Sequence, residues 1–168
     1  MATTTTTTAE TDSPEARMIV SFYEALGRRD AESMVACYHK DVVFRDPAFG
    51  ELRGDRARNM WRMLCGRSAD LRVEVSNVKA QNGRGTAHWD AHYTFTSTGR
   101  RVVNRIDARF EFAQGRIIRH EDSFNLWRWS RQALGTKGLL MGWLPPVQKA
   151  ITAKANRGLD EFIAQRKP

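Results

Sequence analysis

The chain predicts an α+β domain, a curved antiparallel sheet wrapped by N-terminal helices into a cone, with an amphipathic helix added at the C-terminus. Three observations predict it. Apolar residues recur at helical spacing as far as Leu64, and from Leu71 the period changes to two. Turn pairs at Asn82-Gly83, Thr98-Gly99 and Gln114-Gly115 then cut the alternating stretch into successive short runs, the pattern of a meander. Helices first and strands afterwards is the order of an α+β arrangement, and a sheet wrapped this way has one mouth, which suits a small-molecule pocket.

The elements follow in order. Residues 1–12, MATTTTTTAETD, have nothing to bury and are expected to be disordered. Ser13-Pro14-Glu15 opens a helix, because Ser caps it, Pro suits its first position and Glu faces the positive end of its dipole. Ile19, Phe22, Tyr23 and Leu26 form its apolar stripe, and Gly27 ends it. Asp30 caps a second short helix expected to run through Met34, Cys37 and Tyr38. Val42 to Asp46 reads as a short strand closed by Pro47, which has no N–H to donate. Gly54-Asp55 starts a third helix that buries Ala57, Met60, Trp61 and Leu64. The meander strands are Leu71–Val75, Thr86–Thr96, Arg101–Phe112 and Arg116–Phe124. A short helix through LWRWSRQALG ends at Gly135, the apolar segment Gly138–Trp143 reads as flexible, and Pro145-Pro146 opens the last helix.

The totals bound the function classes. At 168 residues with 41% hydrophobic content the chain supports one domain with a real core. No apolar run approaches the roughly 20 residues of a spanning helix, and the polar N-terminus lacks the apolar core of a signal peptide. Cys37 and Cys65 have neither disulfide-framework nor zinc-knuckle spacing, so a reducing, cytoplasmic setting is expected. The net charge is +8, and from Trp127 onward eight basic residues face two acidic ones. Such a tail suits an anionic partner or a solvated face, the latter being the ordinary case.

Candidate chemistry lies on the strands. Side chains alternate across a strand, so Ile118, His120, Asp122 and Phe124 share one face, and a carboxylate on an apolar face must be paired, hydrogen-bonded or protonated. On the second meander strand His88, Asp90, His92 and Thr94 share a face, while Trp89, Ala91, Tyr93 and Phe95 share the opposite one, which looks like core. Asp46 shares a face with Phe44. If these polar groups face one cavity, their pKa values are pushed apart as general acid–base catalysis requires; if they face solvent, they are structural pairs. His-x-Asp-x-His also suits metal ligation, but no firmer metal motif is present and no metal is expected.

In this order FYEALGRRDAESM, VVFRDP, GDRARNMW and GRIIRHEDSFNLW resemble the nuclear transport factor 2-like superfamily, especially its SnoaL-like branch, over about residues 14–134. The resemblance implies a cone-shaped fold with an internal pocket, often dimeric through the sheet, that hosts isomerases, polyketide cyclases, epoxide hydrolases and noncatalytic binders. Asp46 of VFRDP matches the general base of the ketosteroid isomerase members, whereas their oxyanion donors fall at Phe22 and Ala108. His88-Trp89-Asp90 and Asp122 match the Arg-x-Asp and final Asp of the limonene epoxide hydrolase members, with His in place of Arg. Their water-holding Tyr and Asn fall at Phe44 and Asp46. His120 and Asp122 resemble the acid/base pair of the cyclases.

The expectation is therefore a SnoaL-like domain over residues 13–134, followed by a linker and basic helix over 135–168. It acts without a cofactor on a hydrophobic cyclic molecule, the alternative being a noncatalytic ligand- or partner-binding module. Asp122, Asp90, His88 and Asp46 are the candidate catalytic residues, and Phe22, Phe44, Trp61, His92, Ile106, Phe110 and His120 the candidate substrate contacts. A homodimer is expected and no specific nucleic-acid partner; contact of the last helix with a membrane surface is the less favoured use of that helix, docking on its own domain or a partner subunit the more favoured.

Overall fold

The computed structural model describes residues 12–166. The expected disordered segment lies outside the described residues except for Asp12. The first helix, α1 (Pro14–Gly27), starts where predicted: Ser13 Oγ accepts from the Ala16 N–H at 3.1 Å and donates to the Ala80 carbonyl at 3.1 Å, tying the helix start to the sheet. Its stripe of Ile19, Phe22, Tyr23 and Leu26 is buried. Helix α2 (Ala31–Ala36) is capped by the Asp30 carboxylate, which accepts from the Ser33 N–H.

Here the structure corrects the sequence reading. Cys37 ends α2, and Tyr38 is not helical but opens strand β1 (Tyr38–Asp46). Tyr38, Val42 and Phe44 are all buried, so a strand start seats the Tyr38 ring in the core where another helical turn would not. A four-residue strand, β2 (Gly50–Arg53), was also not legible; it is too short to show alternation and pairs antiparallel with β1. Helix α3 (Asp55–Arg67) buries Ala57, Met60 and Trp61.

Strands β3 (Arg72–Gln81), β4 (Arg84–Phe95), β5 (Arg100–Ala113) and β6 (Arg116–Ser123) form the meander. One six-stranded curved sheet results, in the order β2-β1-β6-β5-β4-β3, with β1 joined to β6 in parallel. The α+β cone is thus the observed architecture, with helices at both chain ends of an open sheet. A bulge on β6, where Arg119 pairs with Glu111 but Ile117 with Phe112, inserts Ile118 as an extra residue. Ile117 is consequently fully buried and Ile118 only half-buried, the reverse of simple alternation. Beyond the bulge, His120 and Asp122 keep the inward parity.

Helix α4 (Leu126–Leu134) runs beside the first half of β5, beyond the end of β6. There the Gln132 side chain accepts from the Val103 N–H at 2.8 Å and donates to the Val103 carbonyl at 3.1 Å. Most of the segment expected to be flexible is helix α5 (Thr136–Met141). The last helix, α6 (Pro145–Arg166), docks on α3: Leu159 is buried, Arg56 Nη1 lies 2.5 Å from Asp160 Oδ1, and Arg56 Nη2 donates to Asn156 Oδ1 at 2.9 Å.

Candidate active site

Register decides which polar groups meet. Residues directly opposite in neighbouring strands share a face. Asp122 stands opposite Ala108, which stands opposite Ala87, so Asp122 lies on the face of Trp89 and Ala91. That is the core side, and the small Ala108 leaves room for the carboxyl. His88, Asp90 and His92 lie on the other face. The predicted convergence of these three residues with Asp122 and Asp46 does not occur, because the sheet stands between them.

Inside the cone, His120 is fully buried and Asp122 nearly so. His120 Nε2 lies 2.9 Å from Asp122 Oδ1, and His120 Nδ1 lies 2.8 Å from the Tyr38 hydroxyl. The Trp61 indole N–H donates to that hydroxyl at 2.7 Å. The proton directions follow from the donor inventory. Trp61 can only donate, so the Tyr38 oxygen accepts from it; the Asp122 carboxylate accepts from Nε2–H, and a neutral imidazole then has Nδ1 left to accept the Tyr38 hydroxyl proton. A directed chain Trp61–Tyr38–His120–Asp122 results, with Trp89 Nε1 a longer donor to the same Asp122 oxygen at 3.4 Å. Burial pushes the Tyr38 hydroxyl well above the ordinary tyrosine range, with the Asp122 charge adding to the effect and the Trp61 hydrogen bond opposing it. The Tyr23 hydroxyl is buried without a hydrogen-bond partner and is likewise pushed up, by burial first and Asp122 second.

The expected wall residues pack directly on this chain. The rings of Phe110, Phe44, Phe22 and Trp61 have centroids 4.4, 5.1, 5.4 and 6.0 Å from that of His120, and Ile106 is buried on the same face. Around His120 the cone is therefore filled with aromatic side chains. Among the described residues two open concavities lie on the surface, one of them on the outside of β5.

Asp46 ends β1 and is only half-buried. Its Oδ1 accepts from the N–H groups of Ala48 at 2.9 Å and Phe49 at 2.6 Å, the side-chain turn that follows Pro47. Burial raises its carboxyl from an ordinary 3.8 to about 7; the Phe49 and Ala48 hydrogen bonds oppose the rise and the Asp122 charge reinforces it. Tyr93 is nearby: its hydroxyl accepts from Trp129 Nε1 at 2.7 Å, and burial pushes it up to about 12, with the Trp129 bond lowering it and the Asp46 charge raising it. Asp46 is thus a carboxyl poised near neutrality, backed by the buried His120–Asp122 pair.

On the outer face His88 sits between two acids, Nδ1 2.8 Å from Asp107 Oδ1 and Nε2 3.0 Å from Asp90 Oδ1. The Asp107 hydrogen bond is the main cause of its raised pKa. Glu74, Asp90 and His92 bring one potential ligand atom each within 4.8 Å of one another, the group among the described residues best placed to approach a cation. Sequence reasoning missed Tyr38, Tyr23, Trp89 and Tyr93 as members of the inner site. Parity counted back from Phe44 stops at Val42, because the pairing of β1 with β6 shifts register between Tyr38 and Val43 and leaves Lys40 exposed, so no local alternation pointed to Tyr38.

Comparison with known proteins places this geometry. The model of the SnoaL-like domain matches residues 19–120. An LEH-like epoxide hydrolase of M. tuberculosis superposes with a TM-score of 0.58 at 24% identity, covering 80% of this chain and 96% of that one. A polyketide cyclase-like protein of Xanthomonas campestris pv. campestris gives 0.60 at 23% identity over 71% and 96%. A protein of ketosteroid isomerase-like fold from Catenulispora acidiphila, in complex with trimethylamine, gives 0.62 at 10% identity over 69% and 91%. At these identities the likeness is one of fold. No curated protein matches the chain in sequence.

Proposed function

The chain belongs to the family of SnoaL-like domains, and from that premise we propose that it is a cofactor-independent acid/base enzyme acting on a hydrophobic cyclic molecule. Asp46 is the base. The observation that carries this reading is a half-buried carboxyl at the end of β1, held by the Ala48 and Phe49 amides and pushed up to about 7 by burial. A base works best when its pKa lies near the working pH. Asp46 Oδ1 is committed to the Ala48 and Phe49 amides, which leaves Oδ2 to take a proton from a substrate carbon or water. Behind it, the His120–Asp122 pair fixes a negative charge that favours protonation of Asp46, and Tyr93 and Trp129 supply aromatic surface for an apolar ring.

The test is exchange of the α-protons of cyclic ketones in D2O, followed by NMR, together with incorporation of 18O from water into cyclic epoxides. Wild type should accelerate one of the two, with an inflection near pH 7, and Asp46→Asn should reduce the rate by about 10²–10⁴-fold. Exchange and ring opening at the buffer rate between pH 5 and 9, or an unaffected Asp46→Asn variant, would reject the assignment.

A second reading has its own support. The aromatic packing around His120 and the fully paired Tyr38–His120–Asp122 chain suit a noncatalytic binding module in which these groups are structural. Saturable binding of the same compounds without exchange or ring opening would favour that reading.

A further inference from the structure

We propose that the groove on the outside of β5, together with the exposed face of α5, docks the chain on an anionic phospholipid surface. The groove encloses about 740 Å3 and is lined by Arg100, Arg101, Arg105, Arg128 and Arg131, with no acidic residue in its lining. Among the described residues none of these arginines forms an ion pair. Two are held in place by groups that leave their charge intact: Arg100 Nε donates to the Gln132 carbonyl at 2.7 Å, and the Arg131 guanidinium lies 5.1 Å from the centre of the Trp127 ring. Guanidinium groups bind phosphate through paired N–H donors, so five of them around one concavity suit a surface of phosphodiesters.

The second observation is independent of charge. Helix α5 is inside out. An amphipathic helix ordinarily buries its leucines, but here Gly138 and Gly142 face α4. A Cβ on Gly138 would run into the Ser130 carbonyl, and one on Gly142 into Ser130 Oγ. That close approach buries the glycines and turns Leu139, Leu140, Met141 and the following Trp143 outward. Leu140 is 64% and Trp143 59% exposed. The exposed large apolar side chains of the described residues are these four and Val103, and both Val103 and Leu139 line the arginine groove. The Trp127 indole donates to the Leu139 carbonyl at 3.2 Å and the Trp143 indole to the Leu140 carbonyl at 3.2 Å, so the apolar group is anchored to its support.

A bilayer surface matches both features. Phosphates meet the arginines, while Leu, Met and Trp side chains reach the boundary between headgroups and acyl chains, where Trp is favoured. A second copy of this chain fits less well, because pairing this groove with itself would oppose five guanidinium groups to five. Nucleic acid would satisfy the arginines but leave the leucines without a partner. Among the described residues no helix is long and apolar enough to cross a membrane, and the contact proposed is a peripheral one.

The experiment is flotation of the full chain with phosphatidylcholine vesicles, with and without 30% phosphatidylglycerol, from low to high salt. Wild type should float with the anionic vesicles and not the neutral ones, and binding should weaken at least tenfold between 50 and 300 mM salt. Arg101→Glu with Arg105→Glu should abolish the anionic preference. Leu140→Ser with Trp143→Ser should weaken binding at least tenfold while leaving the circular dichroism spectrum unchanged, since both side chains are exposed. Brominated lipids should quench wild-type fluorescence more than that of Trp143→Phe. Failure to bind anionic vesicles at low salt would overturn the proposal. So would vesicle binding indifferent to the Leu140 and Trp143 changes, binding of pyrophosphate without vesicle binding (a soluble-anion site), or binding of single-stranded DNA without vesicle binding.

Discussion

Asp46→Asn isolates one charge with little change of shape. Asn keeps the side-chain oxygen that accepts from Ala48 and Phe49, so the turn after Pro47 survives. What disappears is the cost of ionising a carboxyl that the fold prefers neutral. In the folded protein this group titrates at about 7 and in the unfolded chain near 3.8. Between those values the folded state holds a proton that the unfolded state has released, so stability falls as pH rises. The contribution is fully present below pH 4 and lost by the time pH has passed 7. A difference of about three pKa units, at about 1.4 kcal/mol each, comes to about 4 kcal/mol. Asp46 is partly open to water, which screens its interactions and lowers the expected effect to roughly 2–4 kcal/mol. Urea unfolding at pH 4.5, 6 and 8 measures it. Asp46→Asn should exceed wild-type stability by about 1 kcal/mol or less at pH 4.5, and the gap should widen to roughly that full amount at pH 8. Equal pH slopes for the two proteins between 4.5 and 8 would refute the reasoning, and with it the placement of Asp46 as a base tuned to neutrality.

Three further outcomes are expected. Tyr38→Phe strands the Trp61 N–H and His120 Nδ1 in the core and should cost about 2–6 kcal/mol in urea unfolding, at about 1–3 kcal/mol for each unsatisfied group; a cost below about 0.5 kcal/mol would mean that the buried chain is not structural. Gly85→Ala places a Cβ 2.7 Å from Ile19 Cδ1 and 3.2 Å from the Lys79 carbonyl, and should lower stability by about 1–3 kcal/mol, read as a drop in Tm; an unchanged Tm would mean that β4 and α1 separate easily. His88 has a raised pKa, so its pairing with Asp107 and Asp90 stabilises the fold most below about pH 6.5 and less as pH rises through its folded pKa; His88→Gln should therefore lose more stability at pH 5.5 than at pH 8.5, and the reverse order would contradict the pairing.

Alternation within a strand was legible from sequence and register between strands was not, and this divides what could be read from what could not. The pairing of His120 with Asp122 follows from their spacing of two on one strand. The inward face of β4 was readable from Trp89 and Ala91. Whether Asp122 joined that face or the one holding His88 and Asp90 depended on which residue of β5 stood between them. Ala108 stands there, and no local pattern encodes that choice. Tyr38 was hidden for a different reason. It follows Met34 at helical spacing, so its apolar ring extended a helical stripe as readily as it began a strand. The bulge at Ile118 could not be foreseen either, because an extra residue in one strand is defined only by its partner. Segment 138–143 reads as flexible in sequence, whereas in the fold its two glycines are contact surfaces against Ser130.

The Gln132 side chain has a consequence for how the molecule behaves among copies of itself. A primary amide offers a carbonyl and an NH2 side by side, as one residue of a strand offers its own C=O and N–H to a neighbour. By bonding both backbone groups of Val103 it stands in for the neighbouring strand that β6 no longer supplies at that point. An unfilled gap there would present a β5 edge flanked by exposed arginines and an apolar helix, a template for adding a foreign strand. One side chain fills it. The sheet's true edges are then β2, only four residues long, and β3, whose pairing with β4 breaks register between Ser76 and Lys79. Neither offers the long, flat rim along which amyloid-like stacking begins, so the fold guards its solubility at three places by three unrelated means.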